Sequence, residues 1–247
     1  MTWSAFMRSA CSREHAVQVY EDTAELVESV VGYLQAGLDV GQPGLVIATA
    51  GHRAGIEAGL TTPEGLLISL DAEEVLAAVM EDGTPSAERF EAIVGGAVDE
   101  VALRFPGATV RAFGEMVDIL WRRGEHDAAL ALEDLWNELA RTRAFALLCG
   151  YCLDIFDVDV QREALPAIFA AHTHARAGDP ARLASAVDQA AAEALGPMEL
   201  ANAYLAVAER VPLGSLPRAA ALLALLAEQN VVRTVDVLER ARALYAI

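Results

Sequence analysis

Lysine is missing outright: all 18 cationic side chains of the 247-residue chain are Arg. An ordinary P-loop ATPase uses the Lys of G-x-x-x-x-G-K-[ST] to reach the outer phosphates, so that mechanism is excluded. Schiff-base chemistry and pyridoxal attachment need a Lys amine and are excluded with it. Thiols are scarce as well. Three cysteines, an odd number in a chain this long, do not make a disulfide framework, and a cytoplasmic protein with reduced thiols is expected. No run reaches the ~20 apolar residues that cross a bilayer. Met1 to Ala10 carries Arg8 with no apolar stretch behind it, so neither a membrane partner nor a secretory signal is expected. No G-x-S-x-G elbow and no H-E-x-x-H pair occurs, so hydrolase motifs contribute nothing.

What is present is acid. The 36 Asp and Glu leave a net charge of -18, which argues against a duplex-wide nucleic-acid footprint. The charge is unevenly placed: residues 178–247 carry 8 acids and 6 Arg, net -2, and residues 1–177 the other -16. The tail therefore lacks the basic face of a DNA-binding module, and no direct nucleic-acid contact is expected.

Short apolar runs alternate with amphipathic stretches through the first 175 residues or so. Strands are expected at Ala16 to Tyr20, Leu45 to Thr49, Leu66 to Leu70, Thr109 to Glu115 and Phe145 to Leu153. Asp22 with Glu25 three residues on is a capping-box start for a helix whose stripe runs through Leu26, Val30 and Leu34. Further helices are expected from about Arg53 to Leu60, from Asp71 to Glu81, from Pro85 to Phe105 and from Asp127 to Arg141. Strand, helix, strand at this rhythm means parallel pairing with helices on both faces, an α/β three-layer fold. After Gly178-Asp179-Pro180 only helical segments follow, broken at Gly196-Pro197, at Val211 to Pro217 and near Asn230. In that tail, Leu216, Ala220, Leu223 and Leu226 repeat at helical spacing, and Val232, Val235, Leu238 and Leu244 do so less regularly. The expected division is residues 12–177 as the α/β domain and 178–247 as a helical extension.

Six strings in order resemble one family. They are His15-Ala16-Val17-Gln18-Val19-Tyr20-Glu21-Asp22, Ala36-Gly37-Leu38, Val46-Ile47-Ala48-Thr49, Arg111-Ala112-Phe113-Gly114-Glu115-Met116, Leu132-Glu133-Asp134-Leu135-Trp136-Asn137-Glu138-Leu139 and Leu147-Leu148-Cys149-Gly150-Tyr151. Together they are similar to the MEDS family, the sensory domain of methanogen and methylotroph regulators. The resemblance covers about residues 12 to 175. It implies a RecA-like, mostly parallel sheet whose nucleotide-hydrolysing motifs have decayed, used to sense small molecules such as simple hydrocarbon derivatives. The decay is visible at Ala50-Gly51-His52-Arg53-Ala54-Gly55, where a phosphate loop would sit without its Lys or hydroxyl residue. No kinase or winged-helix signature follows residue 178.

Ligands of an open parallel sheet sit at the carboxyl ends of its strands. Those ends offer Tyr20, Glu21, Thr49, His52, Arg53, Glu115 and Tyr151, and the family motif adds His15. Glu115 follows an apolar strand and is either solvated at the sheet edge or held in the crevice. Glu21 is equally explained by the charge preference of a helix start, and His15 by ordinary hydrogen bonding. Glu133 and Asn137, four apart on one helix face, read as a polar pair anchoring a loop, with Trp136 in the core. Cys149-Gly150-Tyr151-Cys152 is C-x-x-C, but in an extended strand positions i and i+3 face opposite ways, which argues against dithiol chemistry. A zinc site joining those thiols to His172 and His174 fails because helical residues two apart share no face. No metal and no cofactor is expected.

The composite expectation is a non-catalytic sensor that binds a small ligand at the strand ends and signals through its helical tail or a protein partner. Residual nucleotide binding with slow turnover, and a scaffold that forms homo-oligomers, are the alternatives.

Overall fold

A computed structural model of the protein describes residues 2–61, 66–210, 218–229 and 231–246. It divides into two compact units, Met1–Cys152 and Leu153–Ile247. The expected breaks at Val211 to Pro217 and at Asn230 lie outside the described residues, as does Leu216.

The first unit opens with α1 (Trp3–Ser9), β1 (His15–Tyr20), α2 (Thr23–Leu38), β2 (Gly44–Ala48), α3 (Ala50–Gly59), β3 (Leu67–Asp71) and α4 (Ala72–Val79). A hairpin of β4 (Met80–Glu81) and β5 (Thr84–Pro85) follows, then α5 (Ala87–Phe90), a π-helical turn (Glu91–Gly95) and α6 (Gly96–Arg104). It closes with β6 (Val110–Gly114), α7 (Met116–Arg122), α8 (His126–Thr142) and β7 (Phe145–Cys152). All five expected strands are present. They pair in parallel in the order β3-β2-β6-β7-β1, with Ala48 beside Asp71, Ile47 beside Gly114, Gly114 beside Cys149 and Tyr20 beside Cys152.

Both faces of this sheet are covered by helices, which is why its strands are almost wholly apolar. One face presents Ala16, Tyr20, Val46, Ala48, Phe113, Ala146 and Leu148 to Phe6 of α1, to Leu26, Val30, Tyr33 and Leu34 of α2, and to Ile56 of α3. The other meets α8, where Trp136 sits edge-on to Phe145 at 5.9 Å and a Cβ on Gly114 would touch the Trp136 ring. The three-layer α/β reading therefore holds. Asp22 caps α2 as expected, its carboxylate accepting from the Ala24 N–H at 2.7 Å, and Asp71 caps α4 through the Glu73 and Glu74 N–H groups.

Three local features add to or depart from the expectations. The helix opened by Asp71 stops at Val79, because Asp82 and Gly83 both take positive φ, 49° and 81°, and turn the chain into the β4–β5 hairpin. The helix expected from Pro85 to Phe105 is present from Ala87 to Arg104 and carries a π-helical turn at Glu91–Gly95. Helix α1 was not expected, since seven residues are too few to show a stripe. It is held by tertiary contacts: Phe6 stacks on Tyr33 at 5.1 Å, and the buried Arg111 guanidinium donates to the Met7 and Arg8 carbonyls.

The second unit contains a π-helical turn (Val160–Ala164), α9 (Leu165–Ala170), β8 (His174–Ala177), α10 (Pro180–Arg210), α11 (Arg218–Gln229) and α12 (Val231–Tyr245). His174 opens a short strand that was not among those expected, so the helical ground for dismissing a His172–His174 pair does not apply. The break at Gly196-Pro197 is present, with Gly196 at φ 75° inside α10. Asp179 caps α10 through the Ala181 and Arg182 N–H groups. The α12 stripe is corrected: Val232 is 80% exposed, and the buried face is Thr234, Val237, Leu238 and Ala241.

Candidate functional site

The connection β2 to β3 leaves to one side of β2, and the next sheet strand, β6, returns to the other side. The gap between the carboxyl ends of β2 and β6 is thus a topological switch point, where crevices form in open α/β sheets. Glu115, the residue after β6, is placed there by pairing: its N–H donates to Ile47 O at 3.1 Å, extending the β2–β6 ladder by one bond. Its own carbonyl accepts from Asp118 and Ile119 and starts α7. The side chain, fully buried, turns back to α3. There it accepts a hydrogen bond from the Thr49 N–H, and its other oxygen lies 2.5 Å from His52 Nδ1.

The electrostatics favour the charged form of both groups. The hydrogen bond to Glu115 raises the His52 pKa against the opposing effect of burial. Burial pushes Glu115 up, but the bonds from His52 and Thr49 outweigh it and hold the carboxyl below its ordinary range. On its far side His52 Nε2 lies 3.4 Å from Thr23 Oγ1, and its ring stands edge-on to Tyr20 at 6.0 Å. One helical turn along α7, buried Asp118 accepts from the Cys152 N–H at 2.8 Å and faces Arg122 Nε at 3.0 Å. Burial raises the Asp118 pKa to about 6, against those two contacts. Tyr20, 3% exposed, has its phenol pushed up by burial and by the Asp118 and Glu115 charges, and stays neutral.

A second polar cluster lies on the α8 face of the same sheet. Glu133 is fully buried, with Oε1 accepting from the Tyr151 hydroxyl at 2.8 Å and Oε2 lying 3.3 Å from His15 Nε2 and 3.8 Å from Cys149 Sγ. His15 Nε2 is also 3.2 Å from Cys149 Sγ, while His15 Nδ1 meets Asn137 Oδ1 at 3.0 Å.

The structure therefore brings Tyr20, Thr49, His52 and Glu115 together at the strand ends. His15 and Tyr151 belong to the other cluster. Arg53 turns toward β3, 3.7 Å from Asp71, and Glu21 is an exposed residue ahead of α2. Cys149 and Cys152 do face opposite ways: Cys149 joins the α8-side cluster, and Cys152 packs against the core on the α2 side. Asp118 and Arg122 went unread in the sequence. Their signal was available, since an Asp in the apolar run Met116-Val117-Asp118-Ile119-Leu120 must be paired or functional. Glu133 and Asn137 anchor not a loop but a strand residue, His15.

Residues 14–167 match the family described as MEthanogen/methylotroph, DcmR Sensory domain, MEDS. The chain belongs to the MEDS family. The match spans both polar clusters, and no curated protein and no solved structure matches the chain. A MEDS domain is by description a sensory domain, so the chain's broad role is sensory or regulatory. Among the described residues no helix is long and apolar enough to cross a membrane.

Proposed function

We propose that this MEDS chain is a non-catalytic cytoplasmic sensor that takes a small, uncharged or zwitterionic molecule at the switch-point crevice. The observation that carries the reading is the Glu115 carboxylate bonded to the Thr49 N–H. The start of α3, with its free N–H groups and positive dipole end, is where a nucleotide phosphate would be received. Here a carboxylate of the chain itself takes that place, so an incoming phosphate meets negative charge. Arg53, in the first turn of α3, lies 3.7 Å from Asp71. The crevice groups balance, with His52 and Arg122 against Glu115 and Asp118, which suits a ligand without large net charge.

A molecule with one donor and one acceptor competes for the His52–Glu115 bond, and Tyr20 and Thr23 offer it further hydroxyl contacts. Breaking that bond releases α3 from the β6–α7 turn, which gives the ligand two states with different affinity. The helical second unit or a protein partner is the proposed reader of that change. The test is a melting-temperature screen with one- and two-carbon alcohols, amides and amino acids, with ATP and ADP as the opposing arm. Stabilisation by a small organic molecule that Glu115→Gln abolishes supports the reading. Stabilisation by nucleotides alone refutes it.

A further inference from the structure

We propose that His15, Glu133 and Cys149 form a binding site for a zinc-class divalent cation, distinct from the switch-point crevice. The donor atoms are three different kinds on three different elements: an imidazole nitrogen from β1, a carboxylate oxygen from α8 and a sulfur from β7. Their mutual separations are 3.2 Å for nitrogen to sulfur, 3.3 Å for nitrogen to oxygen and 3.8 Å for sulfur to oxygen. Zinc bonds of roughly 2.0–2.1 Å to nitrogen, 2.0–2.2 Å to oxygen and 2.3 Å to sulfur, set at tetrahedral angles, require donor separations of roughly 3.3–3.6 Å. The triangle is already close to the size of one face of that tetrahedron.

Each donor is also oriented from behind, as metal ligands usually are. Asn137 Oδ1 faces His15 Nδ1 at 3.0 Å. An amide oxygen only accepts, so the ring proton sits on Nδ1 and Nε2 presents its lone pair toward Cys149 and Glu133. The Tyr151 hydroxyl holds Glu133 Oε1 at 2.8 Å, leaving Oε2 to point into the triangle. His15, Glu133 and Cys149 are 3%, 0% and 0% exposed, so the donors are shielded from bulk solvent.

Charge supplies the remaining argument. Burial opposes ionisation of both the Glu133 carboxyl and the Cys149 thiol, and the Glu133 charge opposes the Cys149 thiolate. A dication removes that conflict, since one thiolate, one carboxylate and a neutral imidazole sum to zero with it. On binding, the Cys149 thiol gives its proton to solvent as the metal–sulfur bond forms, so affinity rises with pH. The Cys149–His15–Asn137 chain also has the connectivity of a nucleophilic thiol with its base, but a buried sulfur 3.8 Å from a carboxylate is poorly placed to ionise without a cation. Mixed nitrogen, oxygen and sulfur donors favour zinc, with cobalt(II) as its spectroscopic stand-in, over magnesium or calcium.

The full chain, stripped with chelator and titrated with Co²⁺, tests this. The expected result is one equivalent bound, with a sulfur-to-cobalt charge-transfer band and the intense visible bands of a four-coordinate ion, displaced stoichiometrically by Zn²⁺. Cys149→Ser removes the charge-transfer band, Glu133→Gln weakens binding at least tenfold, and Tyr151→Phe weakens it about tenfold to a hundredfold. Cys152→Ser, on the opposite side of the sheet, leaves the spectrum unchanged. Wild-type protein that is folded by circular dichroism yet binds neither Co²⁺ nor Zn²⁺ overturns the proposal. So does a charge-transfer band that survives Cys149→Ser. If a ligand variant fails to fold, the wild-type titration alone decides between these outcomes.

Discussion

His52 on α3 and Glu115 after β6 are joined across the carboxyl ends of β2 and β6, with 2.5 Å between Nδ1 and Oε2. Sixty-three residues separate them in the chain, and the parallel pairing of β2 with β6 brings them together. Glu115→Gln keeps the size and the Thr49 contact but removes the charge that raises the His52 pKa. Breaking a buried pair from one side leaves the other group uncompensated, and a loss of about 3 kcal/mol at pH 6 is expected in urea unfolding. His52 followed by NMR then titrates at lower pH than in the wild type. An unchanged His52 titration would show that the pair is not formed in solution.

The pH dependence has two parts of opposite sign. The pair's contribution is fully present between the ordinary Glu and His values. It is lost as pH falls through the depressed Glu115 value and as it rises through the elevated His52 value. Asp118 is protonated more readily folded than unfolded, so its contribution is present below its ordinary value of 3.8 and is lost as pH rises through about 6. Asp118→Asn keeps the acceptor for the Cys152 N–H and removes that loss. Relative to the wild type, the variant should gain on the order of 2 kcal/mol between pH 4 and pH 7, measured by chemical unfolding across that range.

Arg111 is a buried cation, 1% exposed, and burial lowers the pKa of its guanidinium. Its N–H groups donate to the carbonyls of Met7, Arg8 and Tyr33 and to Gln42 Oε1, and its plane lies over the Tyr33 ring. Gly37 makes room for it, since a Cβ there would stand 2.4 Å from Arg111 Cδ. A Lys tip cannot span these acceptors. Arg111→Lys should cost about 3 kcal/mol and speed amide exchange in α1 more than in the sheet. Gly37→Ala should reproduce the exchange effect, because it displaces the same side chain.

The strands and the parallel α/β layering were legible because burial on both faces writes itself as short apolar runs. The partner of each polar residue was not legible. Glu115 and His52 lie on separate elements, and so do Glu133 and His15, so only strand order decides which meet. Helix α1 was hidden for the same reason, since its stability comes from Arg111 and Tyr33 rather than from its own seven residues. The β4–β5 hairpin was readable from Asp82-Gly83, a dipeptide suited to two residues of positive φ. Tyr151 is expected among the strand-end residues, but strand alternation sends it to the α8 face beside Cys149.

The central claim, that the switch-point crevice receives the sensed molecule, is tested most directly by the His52 imidazole resonances. A small organic molecule that raises the melting temperature should be titrated into labelled protein while His52 and His15 are followed together. The account predicts saturable shifts at His52, with its titration moving toward the ordinary histidine value as the Glu115 bond is released, while His15 stays in place. A stabilising molecule that shifts His15 and leaves His52 unmoved would contradict it.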